Sequence, residues 1–376
     1  MRVVIDGRYL GSRASGIGNY VRALVERLPI LAPDLEFRVW LGPEGSDGQA
    51  SNRVRWHRVV SKANGLLTLL GPRLLDRLTP GDLFHGPANV LGFGFPCPTI
   101  VTVHDTMWIE RPNDCQPISC LRPVSSRYFR VAIRRALRQA CRIVTVSHSS
   151  ARAIERVDKA AATKIRVIYN GCNSQFTPPT DRAKVRAKAA AILGFEDDYL
   201  LVVGQNQPSK GHEIALKAYA AANPQGLRLV FVERLCTGHG LAEWIRAQKL
   251  GDRVRIVAHL EFDAFLAVMQ SARALLQPSY DEGFGLPAVE AAACGCHIVA
   301  SDIEVFREVL GDVALYAEPG NINAWREAID QVAAKEDIDG SGRQQLQDRA
   351  RWFDWDRAAR ATLEVYREVI AEMTHR

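Results

Sequence analysis

The most informative stretch of the chain reads Glu282-Gly283-Phe284-Gly285-Leu286-Pro287-Ala288-Val289-Glu290. Gly283 and Gly285 let backbone N–H groups approach a ligand closely, because glycine has no Cβ. Pro287 suits the first turn of a helix, where its missing N–H costs nothing, and the Ala-rich run after it favours a helix. The stretch therefore predicts a glycine turn that leads into a helix.

This turn and helix offer the contacts that a phosphorylated sugar needs. A helix start carries unpaired N–H groups and a partial positive charge, so it favours a phosphate. Glu282 before the turn and Glu290 inside the helix are acceptors suited to sugar hydroxyls. The stretch therefore predicts a nucleotide-sugar site. The carboxylate pair of a glycoside hydrolase is disfavoured, because a turn and a helix keep the two groups from facing each other.

The length and composition indicate a globular protein of two or three domains. The chain has 376 residues, of which 47% are hydrophobic and 24% charged. No apolar run reaches the length of a membrane span, and Met1–Asp6 reads as a buried strand rather than a signal peptide. The eight cysteines form no paired CxxC set, so we expect free thiols in a reducing cytoplasm. We predict no metal and no other cofactor.

Charge is spread unevenly along the chain. Residues 1–172 hold 25 Lys+Arg and 13 Asp+Glu, a net charge of +12, whereas residues 173–376 carry a net charge of −6. Such asymmetry predicts that the first half contacts an anionic partner, either lipid or nucleic acid.

Both halves read as strands alternating with helices. This alternation predicts an α/β protein with parallel sheets covered on both faces, in Rossmann-like domains at 1–172 and 173–355. We expect a polar loop at Lys335–Arg343 and a last helix over Asp356–Met373. Ligands of open parallel sheets bind beyond the carboxyl ends of the strands, so polar residues that end strands should line the site.

Three further segments follow strands and carry candidate ligand-binding groups. Gly16-Ile17-Gly18-Asn19-Tyr20 could offer amides to a phosphate or sugar, or be a flexible turn, and Tyr20 breaks the dinucleotide-binding fingerprint. His104 could bond a sugar hydroxyl, or it could be a satisfied surface group beside a helix cap made by Asp105. Lys210, just before a helix, could place its charge on a phosphate or be solvated on its loop.

A long helix over Ser125–Cys141 places Arg127, Arg130, Arg134 and Arg138 on one stripe. Such a stripe is typical of a helix on an anionic membrane surface, and equally of a solvated amphipathic helix packed on a sheet. No helix-turn-helix, RRM or zinc pattern occurs, so nucleic acid is disfavoured. We therefore expect the protein in the cytoplasm, and the membrane alternative would place it peripherally on the inner face of the plasma membrane.

In this order the motifs resemble those of the retaining GT-B glycosyltransferases of family 4, which include many bacterial polysaccharide and lipopolysaccharide transferases. The most specific of them, Glu282–Glu290, looks like the E-x7-E motif of that family. Ser15–Tyr20, Thr102–Asp105 and Val203–Gly211 are similar to its glycine loop, its T-x-H-D strand end and its V-G-R-x4-K-G loop. The resemblance implies two facing Rossmann-like domains with a central cleft, and a C-terminal helix, 356–376, that packs on the first domain.

The resemblance also implies a role for each matching position. Glu282 would hold hydroxyls of the donor hexose, Glu290 would bond the ribose, and Lys210 would neutralise the leaving diphosphate. His104 would contact the donor sugar near the reacting face. Backbone amides that would meet the sugar, the phosphates or the acceptor belong to Gly16, Gly18, Gly283, Phe284 and Gly285. Gln205 stands where the family usually has Arg, so the diphosphate loses one of two fixed cations unless another Arg replaces it.

The function implied is transfer of a hexose from a nucleotide diphosphate sugar to a hydroxyl of a glycan or lipid-linked oligosaccharide, with retained configuration. We expect GDP-mannose as the donor, and a UDP-hexose as the next candidate. The departure at Gln205 keeps a nucleotide-sugar-binding pseudoenzyme open as an alternative. A GT-B epimerase or phosphorylase also stays open, the latter needing a lysine for pyridoxal phosphate.

Overall fold

The computed structural model describes residues 1–11, 15–43, 45, 53–63, 68, 75–115, 122–233, 239–334 and 340–374. The chain divides into two compact units. Unit 1 comprises Met1–Pro112, Cys120–Gly171 and Asp354–Arg376, and unit 2 comprises Asn113–Ser119 and Cys172–Phe353.

Unit 1 is built on a parallel sheet, which within its described residues has seven strands in the order β3-β2-β1-β4-β5-β6-β7. The strands are β1 Arg2–Asp6, β2 Glu36–Leu41, β3 Val54–Arg58, β4 Asp82–Gly86, β5 Thr99–Val103, β6 Arg142–Thr145 and β7 Ile165–Val167. β4 and β5 are buried at every position, as expected of parallel strands covered on both faces. The predicted parallel sheet is confirmed, and β3 is an edge strand that the sequence did not predict.

The helices described in unit 1 are Gly16–Leu31, Met107–Glu110, Arg122–Gln139, His148–Val157 and Trp355–Thr374. The first of them buries Tyr20, Val21, Leu24 and Leu28, the one-sided pattern of an amphipathic helix on a sheet.

The C-terminal helix is fixed to unit 1 by a buried hydrogen-bond network. Tyr366 Oη lies 2.6 Å from His85 Nδ1 on β4. His85 Nε2 lies 2.8 Å from Thr102 Oγ1 on β5, which in turn lies 2.9 Å from Tyr20 Oη. All four side chains are buried, and burial lowers the pKa of His85 to about 3, so its ring is neutral. The network therefore joins two helices and two strands far apart in sequence.

Unit 2 has a second parallel sheet, with six strands in the order β10-β9-β8-β11-β12-β13 among its described residues. The strands are β8 Asp198–Val203, β9 Leu227–Val232, β10 Val254–Val257, β11 Ala274–Gln277, β12 His297–Ser301 and β13 Leu315–Ala317. The helices described here are Arg182–Leu193, His212–Ala222, His239–Ala247, Phe262–Ser271, Leu286–Cys294, Glu304–Leu310, Ile322–Ala334 and Gly340–Arg351. Their core packs around Tyr219, Phe231 and Trp325.

Three of the described helices of unit 2 differ from the sequence prediction. Arg182–Leu193 and Glu304–Leu310 were not predicted, and Gly340–Arg351 occupies part of the predicted polar loop at Lys335–Arg343. Residues 335–339 of that loop lie outside the described residues. The last helix is as expected to within one residue at each end, Trp355–Thr374. Among the described helices, none has both the length and the apolar character needed to cross a membrane.

Candidate active site

The Glu282–Glu290 stretch forms the predicted turn and helix. The helix Leu286–Cys294 begins after Gly285, which is left-handed at φ 90° and ψ 50°. A Cβ on Gly285 would lie 2.5 Å from the ring of Phe306. Glycine is therefore required here, because any other residue would be strained by the left-handed backbone and would clash with Phe306. The amides of Ala288 and Val289 donate to the Gly285 carbonyl at 3.0 and 3.4 Å. A phosphate at this helix would therefore bond to amides that precede Ala288.

Glu282 and Lys210, predicted separately, form an ion pair. Lys210 Nζ lies 2.7 Å from Glu282 Oε1. The same oxygen accepts hydrogen bonds from Ser279 Oγ at 2.8 Å and Gln277 Nε2 at 3.2 Å. Since all three donors converge on Oε1, the other carboxylate oxygen holds the acceptor capacity that a sugar hydroxyl could use.

A second glycine, Gly211, allows the loops that carry Lys210 and Glu282 to approach each other closely. Lys210 ends a short 3-10 turn, Pro208–Lys210, and Gly211 follows it in the left-handed region at φ 63°. A Cβ on Gly211 would lie 2.1 Å from the carbonyl oxygen of Pro278. The Tyr280 amide also donates to the Ser209 carbonyl at 2.8 Å. The loops after the neighbouring strands β8 and β11 thus meet backbone to backbone.

Glu290 is a buried carboxylate in the second turn of the helix. Its exposure is 9%, and desolvation raises its pKa from 4.5 to about 7. Within the part of the chain that the structure describes, no hydrogen bond or ion pair reaches it. An acceptor held this way gains most from a ligand that brings its own hydroxyl donors, as a ribose does.

Other buried polar groups collect at the same ends of the unit 2 strands. Among the described residues, Ser209 Oγ, His212 Nε2, Gln277 Oε1 and Ser301 Oγ are buried without a hydrogen-bond partner. Buried polar atoms without partners are costly, so they fit a place where a ligand or water completes the bonding. His212 Nδ1 also lies 3.4 Å from the buried carboxylate of Glu233 at the end of β9.

The sequence prediction missed Gln277, Ser279, His212 and Glu233, although a signal was present for two of them. Gln277 and Glu233 each end a buried apolar strand, the same pattern that pointed to His104. Gln205, the position where the resembled family has Arg, lies half-buried in the loop between β8 and Lys210.

His104 in unit 1 is a buried and neutral imidazole. Its exposure is 8%, and burial lowers its pKa to about 4. A neutral ring bonds to the Pro87 carbonyl by donating from Nε2, at 2.8 Å, so Nδ1 is an acceptor. The alternative of a surface histidine is wrong, whereas Asp105 Oδ1 does accept from the Met107 amide at 3.1 Å. His104 could accept a hydrogen bond from a sugar hydroxyl but could not donate one through Nδ1.

The glycine loop before the first helix is only partly open to a ligand. The Gly18 amide donates to the capping hydroxyl of Ser15 at 2.9 Å, so a ligand that bonds to this amide would have to displace the cap. A Cβ on Gly18 would lie 3.0 Å from the Tyr9 carbonyl oxygen. The close packing against Tyr9 therefore accounts for a glycine at this position. The Gly16 amide stands first in the helix, where amides have no intrahelical partner.

Two family models match the two halves of the chain. The model described as Glycosyltransferase Family 4 matches residues 14–176, and the model described as Glycosyl transferases group 1 matches residues 186–352. Apart from β1, the strands of both sheets lie within these matches, and so do His104, Lys210, Glu282 and Glu290.

Two relatives are bacterial O-antigen enzymes. The chain is 27% identical over 233 residues to the O-antigen chain mannosyltransferase RfbU of Salmonella typhimurium, covering 62% of this chain and 60% of that protein. The chain thus spans well under two thirds of that relative's length. It is 25% identical over 388 residues to the O-antigen chain mannosyltransferase B of Escherichia coli, covering 98% of this chain and 100% of the relative.

Solved structures share the fold over nearly the whole chain. Sucrose-phosphate synthase from Thermosynechococcus elongatus has a TM-score of 0.72 at 22% identity, covering 99% of both chains. WaaG, a glycosyltransferase of lipopolysaccharide biosynthesis, has a TM-score of 0.73 at 12% identity, covering 97% of this chain and 99% of its own. HepE of Anabaena, in complex with UDP and glucose, has a TM-score of 0.70 at 18% identity, covering 98% and 100%.

The fold and the matches define the class of protein: the chain is a glycosyltransferase with the GT-B fold, built from two Rossmann-like domains. Its first part is of the family 4 type and its second part of the group 1 type.

Proposed function

We propose that this glycosyltransferase moves a hexose from a nucleotide diphosphate sugar to a hydroxyl of a glycan or lipid-linked oligosaccharide, with retained anomeric configuration. The observation that carries the proposal is the group of Lys210, Glu282 and Glu290 around one glycine turn in unit 2. GDP-mannose is the proposed donor, supported by the two O-antigen mannosyltransferases among the relatives. A UDP-hexose is the second candidate, supported by the UDP and glucose in the HepE structure.

The proposed chemistry depends on charge placement. Departure of a nucleoside diphosphate builds negative charge on its phosphate oxygens, and a fixed cation nearby stabilises that charge. Lys210 is the proposed cation, so the reaction needs no metal. Its pairing with Glu282 holds the ammonium group in one place before the donor arrives. The second carboxylate oxygen of Glu282 is the proposed acceptor for hexose hydroxyls.

Glu290 and His104 complete the proposed set. Glu290 would accept hydrogen bonds from the ribose, and His104 Nδ1 would accept one from a sugar hydroxyl. The backbone amides of Gly16, Gly283, Phe284 and Gly285 are the proposed contacts to phosphate, sugar or acceptor. Retention fits attack on the face from which the diphosphate leaves, with a leaving phosphate oxygen as the base.

The Arg-rich helix of unit 1 supports a proposed contact with anionic membrane. Arg127, Arg130, Arg134 and Arg138 are all exposed on helix Arg122–Gln139. Val124 and Val131 are 71% and 51% exposed on the same helix. Exposed arginines interspersed with exposed aliphatic side chains suit a surface helix that meets lipid headgroups. The proposed site of action is the inner face of the plasma membrane.

Vesicle sedimentation tests the membrane proposal. The wild type should co-sediment with vesicles containing anionic lipid at low salt, and the variant with all four arginines changed to Gln should not. Changing four arginines elsewhere in unit 1, at positions 22, 53, 55 and 152, gives a charge-matched control. Equal binding by the two quadruple variants would contradict the proposal.

A thermal-shift panel tests the donor proposal. GDP-mannose, UDP-glucose, UDP-GlcNAc, UDP-galactose and NAD are added to wild type, Glu290→Ala and the surface control Glu327→Ala. Binding to the native state raises the melting temperature by mass action. The expected result is a shift with GDP-mannose in wild type and control that is lost in Glu290→Ala. No shift with any nucleotide sugar would count against the proposed donor site.

A nucleotide-sugar-binding pseudoenzyme remains the second candidate, because Gln205 lacks the charge that the resembled family places there. Donor binding without release of nucleoside diphosphate, with or without acceptor, would favour it over the transferase. Conversion of the donor hexose to its epimer would instead identify an epimerase.

A further inference from the structure

The turn after β4 is bound to the end of β5 by three hydrogen bonds. The Pro87 carbonyl accepts from His104 Nε2 at 2.8 Å, and Asn89 Oδ1 accepts from the His104 amide at 2.7 Å. The Asn89 amide donates to the Thr102 carbonyl at 2.8 Å. Asn89 is therefore held beside His104, with its side chain bonded to the backbone of the histidine.

Asn89 has a backbone conformation that few residues other than glycine adopt. Its φ is 60°, in the left-handed region, where asparagine is enriched among the other residue types. The residue is also buried, at 8% exposure, and residues held in such conformations cluster at functional sites. Glycine would adopt the same backbone at no steric cost, so the side chain is what this position gains from asparagine.

The Nδ2 group of Asn89 has no hydrogen-bond partner in the described part of the chain. The orientation of the side-chain amide is fixed, because the backbone N–H of His104 can only donate and must face Oδ1. Nδ2 therefore carries two N–H donors. A polar group of a buried residue is costly without a partner, so these donors fit a place where a ligand supplies an acceptor.

His104 carries the complementary acceptor. Its amide, its carbonyl and its Nε2 are bonded to Asn89, to Ser150 Oγ at 3.0 Å and to Pro87. The Tyr20 ring packs edge-to-face on the imidazole, with centroids 5.1 Å apart, and fixes its orientation. Nδ1 has no hydrogen-bond partner among the residues that the structure describes, and neither Nδ1 nor Asn89 Nδ2 is fully enclosed. An unpaired donor and an unpaired acceptor thus belong to two residues joined by one hydrogen bond.

We propose that Asn89 is a second sugar-binding residue of unit 1, whose Nδ2 donates to the same hexose hydroxyl that donates to His104 Nδ1. A hydroxyl donates one hydrogen bond and accepts others, so it satisfies both atoms at once. An ionised phosphate or carboxylate has no hydrogen to donate and would leave Nδ1 without a partner. The hexose is the one carried by the nucleotide sugar, so this contact rests on the proposed function, although it does not depend on the base of the nucleotide.

Calorimetric titration of the full chain with GDP-mannose and with GDP tests this contact. Asn89→Asp keeps an oxygen that accepts from the His104 amide and tolerates the left-handed backbone, but it has no side-chain N–H donor. This variant should bind GDP-mannose about 3- to 10-fold more weakly than the wild type, the loss of one hydrogen bond, and should bind GDP equally well. If the thermal-shift panel identifies a UDP-hexose as the donor, that sugar and UDP replace the two ligands.

Asn223 supplies the matched control. It also has a positive φ, 48°, and its Oδ1 accepts from Arg253, but it is exposed at the end of helix His212–Ala222. Asn223→Asp should bind both ligands like the wild type. Equal affinity of Asn89→Asp and the wild type for GDP-mannose would overturn the sugar contact, and so would equal losses for GDP-mannose and GDP. A wild type that binds no nucleotide sugar would overturn the proposed donor site, and the contact with it.

A double variant tests whether the two residues bind one hydroxyl. In Asn89→Asp/His104→Ala the fold-loss of GDP-mannose affinity should be smaller than the product of the two single losses, because groups that share a partner are not independent. A loss equal to that product would show that Asn89 and His104 bind different groups.

Two variants without the side-chain amide test the geometry independently of any ligand. Asn89→Gly and Asn89→Ala both lose the bond to the His104 amide, but alanine is strained in the left-handed region. Asn89→Ala should therefore melt at a lower temperature than Asn89→Gly, and both should bind GDP-mannose at least as weakly as Asn89→Asp. Equal melting temperatures would contradict the backbone conformation that places Nδ2 beside His104.

Discussion

The ammonium group of Lys210 lies 2.7 Å from the carboxylate of Glu282, across 72 positions of sequence. The side chains are 23% and 11% exposed, so water screens the pair less than it would screen a surface ion pair. Lys210 therefore has a fixed anionic partner before any substrate binds. A diphosphate that approaches Lys210 must share its charge with Glu282, and this competition gives opposite predictions for the two residues.

Removal of the cation should weaken binding of the nucleoside diphosphate itself. Lys210→Gln is expected to reduce GDP affinity by about 10- to 100-fold, because a hydrogen bond to a charged group contributes about 1.5–3 kcal/mol. Lys217→Gln, in the following helix and paired with Glu213, is the matched control and should bind like the wild type. Calorimetric titration with GDP measures both. Equal affinity in the two variants would mean that Lys210 does not contact the phosphates.

Removal of the carboxylate charge of Glu282 should affect the binding of GDP and the binding of GDP-mannose in opposite ways. Glu282→Gln releases Lys210 from its partner, so GDP should bind as tightly as in the wild type or more tightly. The same variant should bind GDP-mannose more weakly, because the hexose hydroxyls lose a charged acceptor worth about 1.5–3 kcal/mol. Titration with both ligands gives the comparison. A parallel loss for both would place Glu282 in phosphate binding instead.

The contact between the loop after β8 and the loop after β11 should depend on Gly211. In Gly211→Ala the new Cβ would meet the Pro278 carbonyl oxygen at 2.1 Å, in addition to the strain of φ 63°. Gly226→Ala is the matched control, since Gly226 has φ 66° and no other atom lies within 4 Å of the place that a Cβ would occupy. The control should lose about 1 kcal/mol of stability from backbone strain alone.

Gly211→Ala should lose more than that, with a fall in transferase activity as Lys210 moves away from Glu282. Denaturant unfolding and initial rates with GDP-mannose measure the two effects. Equal stability and equal activity in the two alanine variants would show that the close approach at Pro278 is not required.

Some of this site could be predicted from sequence and some could not. The turn at Gly285 and the helix after it follow from local chemistry, since glycine, proline and an Ala-rich run each favour one conformation. The pairing of Lys210 with Glu282 has no local signal. It requires β11 to lie beside β8, although β9 and β10 come between them in sequence. Sheet order is a property of the whole unit, so a single segment does not reveal it.

The missed helices have a physical reason too. Gly340–Arg351 begins Gly340-Ser341-Gly342, and glycine and serine favour turns over helix interiors. Tertiary packing overrides that preference, because Leu346 and Ala350 on this helix are buried. The position of His104 could be predicted because it follows a buried strand, whereas its tautomer depends on the carbonyl of Pro87, which lies 17 positions away.

The hydroxyl of Tyr366 should stabilise unit 1 through the buried hydrogen-bond network. Tyr366→Phe removes the partner of His85 Nδ1 and leaves that buried nitrogen unsatisfied. The expected loss is about 1–3 kcal/mol. Tyr280→Phe, at a half-buried tyrosine of unit 2, is the control and should change stability little. Thermal unfolding compares them, and equal melting temperatures would contradict a stabilising role for the Tyr366–His85 bond.

Glu290 should make the stability of unit 2 depend on pH in an unusual direction. Its pKa is raised from 4.5 to about 7 by burial, so the folded state holds this proton over a range where the unfolded state has lost it. Between about pH 4.5 and 7 the native state binds more protons than the unfolded state, and stability falls as pH rises. The deficit above pH 7 is about 3 kcal/mol, since one pKa unit corresponds to about 1.4 kcal/mol.

Glu290→Gln removes that titration and keeps the shape of the side chain. Relative to the wild type, this variant should gain stability from pH 5 to about pH 7 and level off towards pH 8, whereas Glu327→Gln at the surface should show no such trend. Denaturant unfolding without ligand at pH 5, 6, 7 and 8 measures the difference. Addition of the donor at pH 8 should reduce the stability difference between Glu290→Gln and the wild type. Ribose hydroxyls that bond to the ionised carboxylate of the wild type offset the cost of its desolvation. A difference that stays constant with pH would show that Glu290 is ionised in the free protein and is therefore hydrated or paired.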